Sequence, residues 1–214
     1  MQCPLCASDK VVDYHQDKKR PYLQCQLCDL VFVPSKYQLS SEDEKSEYDK
    51  HENQVDDPGY LNFLSRMANP VNDRVKNNSS GIDIGSGPAP ALANLLEHYG
   101  HQMAVYDLYY FDDKSVLDKT YDFVTCTEVI EHIAQPNKFI SHLLTLIGAD
   151  GLLGIMTKLV INPERFATWH YKNDPTHICF YSQKTIRFIG RIFNLDIEFL
   201  GNDVVLLTPQ KITQ

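Results

Sequence analysis

The chain has 214 residues, 43% of them hydrophobic and 22% charged, which is typical of one medium globular domain with a small appendage and excludes a disordered chain. The net charge of −8 disfavours a broad nucleic-acid surface, because phosphate binding needs clustered Lys and Arg. No apolar run reaches the roughly 18 residues of a membrane helix and no signal-peptide pattern opens the chain, so we expect a cytoplasmic protein without a membrane span.

Four of the six cysteines form two Cys-x2-Cys pairs near the N-terminus, Cys3 with Cys6 and Cys25 with Cys28. Two such pairs complete a tetrahedral sulfur site of the kind that zinc fills. Disulfides are the alternative, and the lack of a secretory signal argues against them. We therefore predict a zinc ribbon over residues 1–35, whose metal is structural because four thiolates close its coordination sphere. The basic run 18–20 within it is predicted to be a solvated loop tip.

A polar, acid-rich stretch comes next at 36–57 and predicts exposed helix and linker. Apolar residues then recur at helical spacing from Tyr60 to Met67, which indicates an amphipathic helix that packs on the domain after it. We assign 36–78 to a helical linker.

From Gly81 onward, strands and helices alternate. The predicted strands are 81–84, 103–106, 121–126 and 151–157, with a closing hairpin at 196–200 and 204–208. The predicted helices are 88–99, 136–147 and 182–193, with a helical turn at 128–133. This alternation predicts an α/β fold with a mostly parallel sheet and helices on both faces.

A glycine turn joins the first of these strands to its helix, in the sequence Asp83-Ile-Gly85-Ser86-Gly87. Gly85 permits a tight turn, and Gly87 lets a ligand approach the backbone. Asp107 ends the next strand, where a carboxylate can accept hydrogen bonds from ribose hydroxyls. The pattern predicts a nucleotide-type cofactor.

These motifs, with those at 121–123, 128–132 and 151–157, resemble the successive motifs of class I S-adenosylmethionine-dependent methyltransferases over about residues 80–208. The resemblance implies a Rossmann-like sheet with an antiparallel last strand and S-adenosylmethionine as the cofactor. It assigns 79–214 to the methyltransferase domain and gives 36–78 the position of a cofactor lid. Only 13 residues separate Asp107 from Tyr121, so the third strand is predicted to be reduced or missing and adenine contacts stay unassigned.

The resemblance also implies the cofactor-binding residues. The glycines lie against the methionine part, Asp107 on the ribose, and Thr127 and Glu128 near the sulfonium. The full set is Asp83, Gly85, Ser86, Gly87, Asp107, Thr127 and Glu128.

Two other classes stay open. A nicotinamide-dependent oxidoreductase shares the sheet and the ribose acid, but its fingerprint needs a third glycine where this chain has Pro90. A zinc-ribbon adaptor whose Rossmann-like domain is inactive is the other alternative.

The long segment 158–181 is predicted to line the acceptor side, since loops at the carboxyl ends of parallel strands border the ligand crevice. Trp169 in this segment suggests a substrate wall, and a packing cluster at the sheet edge is the alternative. His132, His170 and His177 are the candidate catalytic bases. The motif order resembles small-molecule O-methyltransferases, so we expect a small-molecule acceptor. RNA is the runner-up, because a zinc knuckle also precedes ribosomal RNA guanine methyltransferase domains.

A divalent cation, Mg²⁺ or Mn²⁺, is a further hypothesis. If 128–133 is helical, Glu128, Glu131 and His132 share one face, and His177 could supply a fourth ligand. The pattern resembles that of magnesium-dependent small-RNA 2′-O-methyltransferases and of ubiquinone-pathway O-methyltransferases. The alternative is an ordinary general base without a metal.

Overall fold

The computed structural model describes residues 1–50 and 57–211, so residues 51–56 of the predicted 36–57 linker lie outside the described residues. The strands are β1 (Val11–Gln16), β2 (Pro21–Cys25), β3 (Val31–Phe32), β4 (Ser80–Ile84), β5 (Gln102–Tyr106), β6 (Tyr121–Thr127), β7 (Ile147–Met156), β8 (Cys179–Phe180), β9 (Leu195–Leu200) and β10 (Val204–Pro209). The helices are α1 (Ser41–Tyr48), α2 (Pro58–Asn72), α3 (Ala91–His98), α4 (Pro136–Thr145), α5 (Pro163–Ala167) and α6 (Gln183–Phe193).

The larger sheet has six strands in the order β5-β4-β6-β7-β10-β9. β4 pairs in parallel with β5 and β6, and β6 with β7, whereas β10 runs antiparallel to both β7 and β9. This confirms the predicted mostly parallel sheet with its antiparallel last strand. β5 is the edge, and the short connection beyond it holds a single 3₁₀ turn, Lys114–Asp118, where a further strand was predicted to be reduced or missing.

Helices cover both faces of this sheet, as the alternation predicts. On one face, α2 and α3 bury Met67, Val71 and Leu96 against Phe123 and Leu206 of the sheet. On the other face, α4 and α6 pack against side chains of β4, β6, β7 and β10. Residues 123–126 of β6 are all buried. Because neighbouring residues point to opposite faces of a strand, both faces of β6 are covered. Since β4 pairs in parallel with β5 and β6, the carboxyl ends of these three strands meet along one edge of the sheet.

The N-terminal segment forms a second, four-stranded antiparallel sheet in the order β1-β2-β3-β8. Its last strand comes from late in the chain: Val31 pairs with Phe180, and Phe32 with Cys179. The prediction that residues 18–20 form a solvated loop tip is wrong for one of the three residues. Lys18 and Lys19 are exposed, but Arg20 is only 6% exposed, because its side chain turns into the contact with residues 172–177.

Among the described ranges, no helix combines the length and the apolar character that crossing a membrane requires.

Candidate functional site

The glycine turn after β4 is closed by the acid that comes directly after β5. Gly85 and Gly87 have φ values of 75° and 65°, the left-handed region that glycine adopts without strain. The Gly85 N–H donates to the carbonyl of Tyr106 over 2.8 Å. The Gly87 N–H donates to Oδ2 of Asp107 over 2.9 Å. The carboxylate of Asp107 thus fixes the turn that the sequence predicts as a cofactor cradle.

The two glycines are expected to respond differently to alanine. A Cβ at Gly85 would collide with the side chain of Val129, whereas a Cβ at Gly87 meets nothing within 4 Å. We expect Gly87→Ala to cost about 1–2 kcal/mol of unfolding free energy from backbone strain alone. Gly85→Ala adds overpacking and should cost about 2–5 kcal/mol. Urea denaturation measures both, and equal losses would contradict the geometry.

Two buried polar atoms at the end of β6 lack partners. Among the described residues, the buried side-chain nitrogen and oxygen atoms without a hydrogen bond are Thr127 Oγ1, Glu128 Oε1 and His101 Nδ1. Such orphans are rare in folded proteins, and they mark places where a ligand or water completes the bonding. Burial also raises the pKa of Glu128 to about 7. The end of β6 therefore has unused hydrogen-bonding capacity beside the glycine turn.

Asp83 occupies a more enclosed position. It is buried, and its Oδ1 accepts a 2.7 Å hydrogen bond from the hydroxyl of Thr125 on β6. Burial raises its pKa to about 7 despite that bond. Ser86, by contrast, makes only a long 3.4 Å contact from its hydroxyl to the carbonyl of Gly87. Asp83 thus ties β4 to β6 beneath the turn, and the hydroxyl of Ser86 is held only weakly.

Helix α1 lies across the edge of the sheet next to the turn. Glu44 on α1 accepts hydrogen bonds from the hydroxyls of Tyr48, over 2.7 Å, and of Tyr109, over 3.1 Å. The ring of Tyr48 meets the ring of His132 edge-on, with 5.4 Å between centroids. α1 therefore spans the distance from the segment after Asp107 to His132. The lid role of 36–78 stays a prediction.

Three predicted site residues come together beyond the end of β6. The ligand atoms of Glu131, His132 and His177 lie within 4.8 Å of one another. Nδ1 of His177 lies 2.8 Å from the carbonyl of Tyr171, and Nδ1 of His132 lies 3.3 Å from that of Thr176. Since a carbonyl only accepts, each Nδ1 is assigned the proton and each Nε2 keeps a lone pair. Burial lowers the pKa of both rings, that of His132 to about 3, so both are neutral at pH 7.

Glu131 is the buried anchor of this cluster. Its carboxyl group accepts hydrogen bonds from the hydroxyl of Tyr171 and, over 3.0 Å, from that of Thr157. Burial and the neighbouring Glu128 raise its pKa to about 8. Sequence reasoning did not assign Tyr171 and Thr157 to this carboxyl group. Only their positions, in the predicted acceptor loop and at the end of the predicted strand 151–157, hinted at the site.

The helical condition behind the cation hypothesis is not met. Glu128 has a φ of 53°, and only Ile130–His132 forms a 3₁₀ turn, so Glu128 does not share a helical face with Glu131 and His132. Glu128 lies outside the group of close ligand atoms. The cation hypothesis therefore depends on Glu131, His132 and His177.

A model of the methyltransferase-domain family matches residues 53–198. The chain belongs to this family. The match covers more than half of the chain and takes in the glycine turn, Asp107 and the 128–132 motif. It confirms the predicted methyltransferase class over the oxidoreductase alternative.

Two solved structures of other methyltransferases have a fold similar to that of this methyltransferase. One is 1,6-didemethyltoxoflavin-N1-methyltransferase from Burkholderia thailandensis, bound to 1,6-didemethyltoxoflavin and S-adenosylhomocysteine. It has a TM-score of 0.55 at 11% identity over 91% of this chain and 96% of that chain. An O-methyltransferase family protein from the same species has a TM-score of 0.51 at 12% identity, over 83% of this chain and 64% of that chain. Identities this low show the fold alone. No curated protein matches the sequence.

The four N-terminal cysteines of the methyltransferase converge as predicted. The sulfurs of Cys3 and Cys28, and those of Cys6 and Cys25, are 3.5 Å apart, and all four lie within 4.8 Å of one another. Tetrahedral Zn–S bonds of about 2.3 Å place sulfurs about 3.8 Å apart. The cluster therefore has the size of a zinc–thiolate site.

The other two predicted acceptor-side residues, His170 and Trp169, differ in how close they lie to the histidine cluster. His170 is exposed, with its Nε2 3.4 Å from Nζ of Lys158, and it is not brought to His132 and His177. Trp169 packs on Tyr171 and Phe166, with ring centroids 5.0 and 5.9 Å away, in an aromatic cluster beside the N-terminal sheet. The ring of Tyr171 lies 4.2 Å from that of His177, so Trp169 is one ring removed from the histidine cluster. This position suits the packing alternative, and the substrate-wall role of Trp169 stays a prediction.

Proposed function

We propose that this chain is an S-adenosylmethionine-dependent methyltransferase that methylates an oxygen of a small-molecule acceptor and holds a structural zinc ion. The observation that carries the proposal is the open glycine turn, fixed by Asp107, next to the orphaned oxygens of Thr127 and Glu128. A nucleoside cofactor with hydroxyl and amino groups would satisfy such a site.

The residues fit S-adenosylmethionine, which when bound supplies a methyl group on a sulfonium as the electrophile. Gly85, Ser86 and Gly87 would hold the methionine part. Asp107 would hold a ribose hydroxyl, because a carboxylate has about four lone-pair sites and three backbone N–H groups donate to it here, which leaves one site. Thr127 and Glu128 would gain partners that they lack. Asp83 supports the turn from beneath.

His132 and His177 suit proton transfer from an acceptor hydroxyl. Both rings are neutral and meet edge-on with centroids 4.7 Å apart. Since each Nδ1 lies against a backbone carbonyl, Nε2 of each ring is the proton acceptor, and that of His177 lies 3.8 Å from Oδ2 of Asp174. A neutral imidazole can accept a proton at physiological pH, and His177 is the better candidate because burial lowers the pKa of His132 to about 3 and makes that ring a weak base. Glu131 is occupied by Thr157 and Tyr171, so its part is to hold the surrounding loop in place.

A divalent cation is the second candidate for this cluster, favoured by the close approach of one carboxylate and two imidazole groups. Glu131, His132 and His177 would hold Mg²⁺ or Mn²⁺, which would lower the pKa of a bound acceptor hydroxyl. The hydrogen bonds from Thr157 and Tyr171 to Glu131 favour the metal-free base.

Chelation separates the two candidates. We expect methyl transfer to persist in EDTA as long as the N-terminal zinc is retained, because the histidines act as bases without a cation. His177→Ala should slow the transfer about 10²–10⁴-fold, the usual contribution of a general base. His170→Ala is the matched control, since that ring is exposed and apart from the cluster. Activity that is lost in EDTA and restored by Mg²⁺ or Mn²⁺ would assign the cation instead.

Release of S-adenosylhomocysteine in the presence of candidate acceptors tests the proposed function. A panel of hydroxylated small molecules, with amines and structured RNA as comparison arms, should give turnover with a hydroxylated compound. The acidic balance of the chain argues against RNA. Turnover with RNA alone, losing affinity steeply with salt, would overturn the small-molecule assignment. Binding of neither S-adenosylmethionine nor a nicotinamide cofactor would favour the inactive-adaptor alternative.

A further inference from the structure

A single arginine of the N-terminal sheet holds the loop that carries His177. The buried guanidinium of Arg20 donates hydrogen bonds to four backbone carbonyls of residues 172–177. Its Nη1 reaches the carbonyl of Pro175 over 2.9 Å. Its Nη2 lies 2.9, 2.7 and 2.9 Å from the carbonyls of Lys172, Asp174 and His177, so one of its two N–H groups is shared between two carbonyls. One side chain therefore gathers most of the carbonyls in this turn.

The geometry needs an arginine in particular. The planar guanidinium has five N–H donors in a fixed fork, and a donor that carries charge makes a stronger hydrogen bond than a neutral one. Nε of Arg20 is also used, since it lies 3.1 Å from the hydroxyl of Tyr22. Converging carbonyls repel one another, so the turn at 172–177 depends on the cation between them.

A second link connects the same two regions. The Val33 N–H, just after β3, donates to the carbonyl of Ile178 over 2.8 Å. The Ile178 N–H donates in turn to the backbone carbonyl of Glu131 over 2.8 Å. A partly buried ion pair, from Nζ of Lys172 to Oδ2 of Asp17 over 3.1 Å, holds the other end of the loop. The N-terminal sheet thus contacts the acceptor loop at both ends and adjoins the backbone of Glu131.

We propose that Arg20 is a positioning residue of the acceptor site, and that the cysteine-bearing sheet is a structural wall of that site. By fixing the turn at 172–177, Arg20 sets the position of the His177 ring, whose Nδ1 is held by the carbonyl of Tyr171. The part that this gives to Arg20 in methyl transfer rests on the proposed function. Losing Arg20 should therefore alter the acceptor side and leave the cofactor side, built on β4, β5 and β6, unchanged.

The test compares Arg20→Ala, Arg20→Lys and Lys19→Ala in the full chain loaded with zinc and without other divalent cations. Lys19 is the matched control because it is the neighbouring cation and is exposed. Nitrogen-15 NMR of the imidazole rings reports the tautomer of His177, assigned with His177→Ala. Calorimetry reports the Kd for S-adenosylmethionine.

In the wild type and in Lys19→Ala, we expect His177 to show one neutral tautomer with the proton on Nδ1. In Arg20→Ala this signal should shift toward an average of the two tautomers, while the Kd for S-adenosylmethionine changes less than about twofold. Arg20→Lys keeps the charge but not the fork, and it should give an intermediate signal. With an accepted substrate, kcat should fall at least tenfold in Arg20→Ala with an unchanged KM for the cofactor.

An unchanged His177 signal in Arg20→Ala would overturn the inference. If that variant does not fold, as judged by its zinc content, Arg20→Lys decides: a wild-type signal there overturns the inference, and a shifted signal supports it. A wild-type protein that fails to bind S-adenosylmethionine would overturn the proposed function instead. The tautomer of His177 would still decide whether Arg20 positions that ring.

Discussion

Asp107→Ala is expected to weaken the binding of S-adenosylmethionine by about 1–3 kcal/mol, which is roughly a 5- to 150-fold increase in Kd. A ribose hydroxyl would lose a charged acceptor in a buried crevice. The turn itself would also loosen, because Asp107 accepts the Gly87 N–H over 2.9 Å and the Tyr109 N–H over 2.9 Å. Calorimetry on the purified variant measures the change directly.

Asp118→Ala is the matched control for this experiment. Asp118 is an exposed acid at the end of the 3₁₀ turn after the same strand, so its removal alters the net charge equally. Its Kd should equal that of the wild type within about twofold. An Asp107→Ala variant with wild-type affinity would mean that the ribose binds elsewhere.

Cys25→Ser should remove the zinc ion and unfold the N-terminal sheet. The apparent binding free energy of zinc at structural sites is about 10–16 kcal/mol, which is comparable to or larger than the free energy of unfolding of most domains. The wild type, made with zinc supplied, should hold about one equivalent by metal analysis, and the variant less than about half. Because β8 pairs with β3, the loss should extend into the acceptor loop and lower the thermal midpoint of the whole chain.

Cys126→Ala controls for the loss of a buried thiol. Cys126 lies on β6, is fully buried and belongs to no cysteine cluster among the described residues, so its loss leaves only a small cavity. This variant should keep its zinc and most of its stability. A zinc content in Cys25→Ser equal to that of Cys126→Ala would contradict the four-thiolate site.

The fold could be predicted because its signals are local. The sequence Asp83-Ile-Gly85-Ser-Gly87 between an apolar strand and a helix specifies its own turn, and an acid at the next strand end must lie beside it in a parallel sheet. The short connection to Tyr121 left too little chain for another helix and strand, and β5 is indeed the sheet edge. The same principle predicted that His132 and His177 lie close together, because loops at the carboxyl ends of parallel strands meet at one edge of the sheet.

The parts that sequence reasoning missed depend on contacts between distant residues. Arg20 lies in a run of three cations that resembles a solvated tip, and its partners are 152 to 157 residues away. Nothing local shows that carbonyls from such a distance converge on its guanidinium. The left-handed backbone of Glu128 could not be predicted either, because the sequence of residues 128–133 suits a helix. Only the packing after β6 opposes one. The hydrogen bonds from Tyr171 and Thr157 to Glu131 also join residues that are far apart in the sequence, 40 and 26 positions away, so no local pattern indicates them.

Calorimetric titration of the zinc-loaded full chain with S-adenosylmethionine, S-adenosylhomocysteine and NADH tests the central claim most directly. We predict saturable binding of the first two at one site with micromolar Kd, weakened in Asp107→Ala, and no binding of NADH. Binding of NADH in their place would contradict the claim by pointing to the oxidoreductase class. Binding of none of the three would also contradict it, because the glycine turn, Asp107 and the orphaned oxygens of Thr127 and Glu128 would then hold no cofactor of this kind.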